Sequence, residues 1–261
     1  MRIPRIIIAG ATSGVGKTSI TCSIIHALQK HGFSVQPFKV GPDYIDPGYL
    51  SSISKNETYN LDAWLMGENQ LLQSFTLNSK SNISVIEGVM GFYDGFGGDS
   101  NYASTHHVAS LTKSSVLLVL DASKTSRSIA ATALGFIKFH RNSRIVGIIL
   151  NKIGSKKHEL LCRSALKKIK IPIIGVIPKN PLLNMPSRHL GLISTLENNI
   201  LKKQIKKISK IISENIDINQ IIKIAKNSSD LLKNLNQYLK NLQQLLQLHL
   251  ILHLISIIKI I

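Results

Sequence analysis

Cysteine is nearly absent from this 261-residue chain: Cys22 and Cys162 are its two copies, and neither has a partner at metal-ligand or redox-motif spacing. That excludes a disulfide framework and a thiolate metal cage, and both read as small buried hydrophobes of a reducing compartment. Acidic residues are also scarce, 14 against 32 Lys and Arg, for a formal charge of +18. Such an excess ordinarily raises nucleic acid as a partner. Here many of the lysines fall beyond Leu201, in a stretch made mostly of Ile, Lys, Asn and Leu, which reads as compositional bias. No nucleic acid is therefore expected, and the remaining basic field suits small anionic ligands. The first residues lack a signal-peptide pattern, because the opening apolar run leads straight into a glycine-rich loop, so a cytoplasmic location is expected. A membrane span needs about 20 apolar residues. Residues 245–261 come nearest, but they are short of that and hold His249, His253 and Lys259, so no membrane is expected either.

What is present is a repeated alternation. Apolar, β-branched runs at 5–9, 34–40, 83–86, 116–120, 145–150 and 173–177 are separated mostly by helix-length segments. Strands alternating with helices imply an α/β fold: a mostly parallel sheet with helices on both faces. In such sheets ligands bind beyond the carboxyl ends of the strands, so the residues following each run are the first candidates for function. Past Leu196 glycine and proline disappear. Residues 1–197 are expected to form the sheet domain, and residues 198–261 a low-complexity, helical or irregular tail with the look of a truncated or frame-shifted linker.

Residues 10–19, GATSGVGKTS, lie between the first strand and a helical pattern. This is a phosphate-binding loop: glycines let backbone N–H groups curl around phosphate oxygens at a helix N-terminus, Lys17 meets the β/γ phosphates, and Thr18 can ligate Mg²⁺. Gly10, Thr12, Ser13, Gly14, Val15, Gly16, Lys17, Thr18 and Ser19 are the expected nucleotide contacts. Partitioning ATPases carry a second lysine near the start of the loop, and Thr12 stands there here, which weighs against them. After the second strand comes FKVGPDYIDPGY, residues 38–49. Lys39 supplies a cation for a transferring phosphoryl group, while Asp43 and Asp46 offer carboxylates for Mg²⁺ or for orienting substrate. In VIEGVMGFYDG, residues 85–95, Glu87 ends an apolar strand opposite the phosphate loop, as a second metal candidate.

Together these motifs resemble the P-loop amidating family that includes cobyrinate a,c-diamide synthase, cobyric acid synthase and dethiobiotin synthetase. The resemblance covers roughly residues 6–197 and is nearest to the synthetase half of the first. It implies an ATP- and Mg²⁺-dependent ligase of cobalamin biosynthesis, with Lys17, Lys39, Asp46 and Glu87 in catalysis and Thr18, Asp46 and Glu87 at the metal. It also implies an adenine contact from Asn151 and an acceptor side formed by Asp43, Tyr44, Asp62, Ser104, Thr105 and Arg188. By residue type alone, Asn151 after a strand is equally a turn residue and Ser104 or Thr105 before a helix is equally an N-cap. The implied substrate is cobyrinate or a related tetrapyrrole such as nickel sirohydrochlorin. Ammonia would come from free ammonium or a separate glutaminase subunit, because the family's glutaminase half is not visible after Leu242. A homodimer is expected. A membrane-associated positioning ATPase is the more distant alternative.

Overall fold

The computed structural model describes residues 3–183 and 199–231. The chain separates into two compact units, Ile3–Ser228 and a second made of Met1–Arg2 with Ser229–Ile261, of which residues 229–231 are described. The apolar 245–261 run and Arg188 lie outside the described residues. No helix among the described residues is long and apolar enough to cross a membrane.

The larger unit is a seven-stranded parallel sheet. Its strands are β1 (Arg5–Gly10), β2 (Val35–Val40), β3 (Tyr59–Leu61), β4 (Ile83–Glu87), β5 (Ser115–Asp121), β6 (Ile145–Ile153) and β7 (Ile173–Pro178), in the order β3-β2-β4-β1-β5-β6-β7. Six of the seven were legible as β-branched runs. β3 was not, because three residues are too few to show any alternation. β1 is buried at every position, as a central strand covered on both faces must be. Side chains alternate across a strand, so Ile6 and Ile8 enter the cluster beneath the first helix, α1 (Lys17–Lys30), while fully buried Ile7 faces the other side.

The strand order reverses around β1, with β4 on one side and β5 on the other, and the crevice at such a switch point is where α/β sheets bind ligands. The remaining helices are α2 (Asp46–Ser54), α3 (Ala63–Asn78), α4 (Thr105–Leu111), α5 (Ile129–Phe139), α6 (Lys156–Leu166), α7 (Asn199–Ser213) and α8 (Ile218–Lys226).

The last two correct the expected boundary. Ile205, Ile208 and Ile212 of α7, with Ile218, Ile221 and Ala225 of α8, are buried in the same core as α1. Asp217 N donates to Ile174 O at 2.8 Å, and Gly175 bridges Ile216. The compact unit therefore runs on to Ser228 instead of ending at 197. The apolar spacing of three and four residues that seats these helices was present in the sequence, hidden within a run dominated by Ile and Lys.

Candidate active site

The phosphate loop is shaped by two left-handed glycines, Gly14 at φ 74° and Gly16 at φ 94°. Gly16 is also the N-cap of α1 and offers no side chain to the helix's first N–H groups. That helix start presents its first N–H groups and its positive dipole end to an anion. Close packing fixes the loop from both sides. A Cβ on Gly10 would lie 2.7 Å from Val15 Cγ2, and one on Gly16 would lie 2.5 Å from Asn151 Nδ2. Lys17 Nζ donates to Met90 O at 2.6 Å and Thr12 O at 3.4 Å. The lysine of the glycine-rich loop is therefore tied to the loop that follows β4.

Sheet register assembles the acidic partners. Lys39 on β2 is paired with Glu87 on β4, and Glu87 in turn with Ile8 on β1, so adjacent strand ends bring the three motifs together. Lys39 Nζ reaches Asp46 Oδ2 at 2.6 Å, Glu87 Oε1 at 2.8 Å and Asp43 Oδ2 at 3.6 Å. Thr18 Oγ1 donates to the same Glu87 Oε1 at 2.8 Å. The other carboxylate oxygen of Asp43, Oδ1, accepts from Ile45 N (2.8 Å) and Asp46 N (3.1 Å), which starts α2 and sets Asp46 on its first turn.

Burial decides the electrostatics of this cluster. It opposes the charge on Lys39, but Glu87 and Asp46 more than offset it and hold the ammonium above the ordinary lysine range. Burial also raises the pKa of Glu87, with Asp46 adding to it, against the downward pull of Lys39 and Thr18. Glu87 Oε2 is buried and has no hydrogen-bond partner among the described residues, which is costly unless something else meets it. One ammonium thus faces three carboxylates, and one carboxylate oxygen is left over.

These groups line a cleft of roughly 690 Å³, together with Ser13, Gly14, Gly16, Ser19 and Asn151 of the expected set. Val89, Met90, Ser123, Lys152 and Lys179, from the segments after the strands but not singled out individually, also line it, as does Ile212. Most follow a strand end, which is the signal that could have found them. Ile212 comes from α7, the supposed tail. Asn151 Nδ2 donates to Val15 O (2.8 Å) and its Oδ1 accepts from Lys152 N (2.8 Å). In this structure it braces the phosphate loop. Lys152, at φ 61°, pairs with Asp121 at 2.7 Å.

Of the expected acceptor side, Asp43 lines the cleft, whereas Asp62, Ser104, Thr105 and Tyr44 do not. Asp62 caps α3, accepting from Trp64 N (2.8 Å) and Leu65 N (3.2 Å). Ser104 caps α4 through His107 N (3.1 Å), and Thr105 Oγ1 donates to Val89 O and accepts from Val89 N, both at 3.0 Å. All three are buried. The N-cap alternative raised by residue type is what the structure displays for Ser104. Tyr44 is 91% exposed and makes no wall of the cleft.

A phosphate loop on a parallel sheet, with an acidic strand end opposite its Lys and Thr, defines a P-loop nucleotide-binding protein. Residues 6–193 match the family described as the CobQ/CobB/MinD/ParA nucleotide binding domain, and the chain belongs to that family. The cobyrinate a,c-diamide synthase of Listeria innocua is 42% identical over 230 residues, 87% of this chain and 51% of that protein. The hydrogenobyrinate a,c-diamide synthase of Streptomyces coelicolor is 44% identical over 196 residues, 75% of this chain and 40% of that one. The chain thus spans about half the length of the curated relatives it matches. Among solved structures, the MinD cell division protein of Aquifex aeolicus aligns with a TM-score of 0.52 at 17% identity, covering 87% of this chain and 99% of that one. That likeness establishes the fold alone.

Proposed function

We propose that this chain is the carboxylate-activating part of an ATP-dependent a,c-diamide synthase acting on a cobyrinate-like macrocycle. The observation that carries the reading is the meeting of Lys17 and Thr18 with the Lys39–Asp46–Glu87 cluster in one cleft, in a chain more than 40% identical to enzymes named for that reaction. A carboxylate does not condense with ammonia unaided. In the proposed reaction a substrate carboxylate oxygen attacks the γ-phosphorus of ATP, ADP leaves, ammonia adds to the carbonyl carbon of the acyl phosphate, and inorganic phosphate departs. The protein's part is positioning and electrostatic stabilisation.

The residues fit Mg²⁺. Glu87 offers a buried, unpartnered oxygen, and Thr18 and Asp46 are oxygen donors beside it. Two carboxylates and a hydroxyl suit an ion that takes one or two carboxylates and completes its shell with phosphate and water. When bound, Mg²⁺ would neutralise charge on the β- and γ-phosphate oxygens. Lys39 keeps the carboxylates together and remains charged. Lys17 changes partner from Met90 O to phosphate oxygen.

Cys22 and Cys162 are both fully buried, and burial raises both thiol pKa values, so neither is an activated thiolate for glutamine hydrolysis. The test supplies Mg²⁺-ATP and cobyrinate with either ammonium or glutamine and follows diamide by mass. Product with ammonium alone is expected; glutamine-driven product from the purified chain would contradict this nitrogen source. A second reading, amidation of the metal-free macrocycle, is favoured by one observation: the hydrogenobyrinate enzyme is as similar to this chain as the cobyrinate ones. Parallel assays with both macrocycles decide between them.

A further inference from the structure

The loop that lines the cleft with Val89 and Met90 runs on to Phe96, where it leaves an aromatic step in solvent. The rings of Phe96 and of Trp64, on the first turn of α3, stack with centroids 5.3 Å apart and planes 19° from parallel. Yet Trp64 is 53% exposed and Phe96 56%. The step is fixed in place. Phe96 N donates to Tyr102 O (2.8 Å), and Tyr102 Oη donates to Ala63 O (3.0 Å), which clamps the loop onto the start of α3. Asp62 holds the backbone that carries the other ring by accepting from the Trp64 main-chain N–H, and a Cβ on Gly95 would strike Tyr102 O. Both α3 and the loop begin just beyond a strand's carboxyl end, the same end of the sheet as the phosphate loop.

Single exposed apolar residues are ordinary; a stacked aromatic pair, clamped through backbone and left open beside the cleft-lining loop, is a surface able to receive a flat apolar face. A small hydrophilic acid would leave both rings in water and gain nothing from them. A macrocycle with an apolar face and carboxylates at its periphery would cover them. We propose that Trp64 and Phe96 are the platform for the flat face of the macrocyclic substrate. The proposal rests on the amidation reading above, which supplies the substrate class.

Trp64 is the single tryptophan of the chain, so its fluorescence reports on the platform. The 261-residue protein is titrated with cobyrinate and with metal-free hydrogenobyrinate, followed by tryptophan emission and, for variants lacking Trp64, by equilibrium dialysis. A fluorescent ATP analogue measures nucleotide binding separately. Phe96→Ala and Trp64→Ala should each raise the macrocycle Kd about tenfold or more, a difference of about 1.4 kcal/mol, while Trp64→Phe recovers most of it. Nucleotide Kd should stay within about twofold, because the platform residues make no wall of the cleft. A macrocycle Kd unchanged in Phe96→Ala, or an equal loss of nucleotide binding, overturns the platform. Wild-type protein that binds neither macrocycle overturns the amidation reading instead, and with it the substrate class assumed here.

Discussion

On the side of the glycine-rich loop, Lys17, Lys39, Asp46 and Glu87 are buried and bonded to one another or to facing backbone, and one buried oxygen of Glu87 has no partner among the described residues. On the side of α3 and α4, Asp62, Ser104 and Thr105 are just as buried, but their oxygens are engaged with backbone N–H and C=O groups. The first group keeps charges in low dielectric, where an ion or phosphate would relieve them; the second closes helix ends and loops. Motif residues of equal apparent importance thus divide into those that carry unmet chemistry and those that shape the backbone around it. Exposure marks the boundary, because beside the caps stands the uncovered Trp64–Phe96 pair.

The contrast can be broken at several points. The largest effect is expected from Lys17→Ala, which should lower ATP-dependent turnover about 10³-fold or more, a barrier increase of about 4 kcal/mol, with an unchanged far-ultraviolet circular dichroism spectrum. Near-normal turnover would remove the phosphate loop from the chemistry. Glu87→Gln comes next. It keeps the shape and the Thr18 contact while removing a charge, and activity should fall at least about tenfold, with the Mg²⁺ concentration for half-maximal rate raised. An unaltered Mg²⁺ dependence would take Glu87 out of the metal set.

Smaller effects sharpen the other side. Asp62→Ala should cost about 1 kcal/mol of unfolding free energy, read in urea, as the loss of an N-cap does, with nucleotide Kd unchanged. A full loss of activity at unchanged stability would instead make Asp62 a direct substrate ligand. Asp121→Asn is the mildest. Burial opposes the Asp121 charge, but the Lys152 hydrogen bond and Ser123 hold its carboxyl below the ordinary range. A depressed carboxylate pKa contributes stability above the unfolded value, near about 4, and loses it as pH falls through the folded value. The pair is about one-third exposed, so the variant should cost less than about 1 kcal/mol at pH 7, and the difference from wild type should vanish once pH has fallen below the folded value. A difference that persists at acid pH would contradict this origin.

How much of this was legible in the sequence follows from distance along the chain. The phosphate loop was readable because strand, glycines and helix are contiguous. Lys39, Asp46 and Glu87 were readable because each lies at or just beyond the end of a buried run, and register then joined Lys39 to Glu87. The Lys17 bond to Met90 O was not, since any residue could supply that carbonyl. Asn151 was found by position, but its bracing of Val15 O across 136 residues has no local signature. The packing of α7 and α8 was written in their apolar spacing and masked by composition. Ser104 and Thr105 carried two readings each, and residue type alone could not choose between ligand and cap; Asp62 was read only as a substrate contact, and its capping of α3 appears in the structure.

The central claim is that this cleft activates a carboxylate by phosphorylation, and the fate of one oxygen tests it most directly. Cobyrinate labelled with ¹⁸O in its carboxylates is incubated with the chain, Mg²⁺-ATP and ammonium, and the inorganic phosphate released is analysed by mass. Transfer through an acyl phosphate moves one carboxylate oxygen into phosphate for each amide formed, with ADP as the other product. Amide formed alongside unlabelled phosphate, or with AMP and pyrophosphate as products, would contradict it.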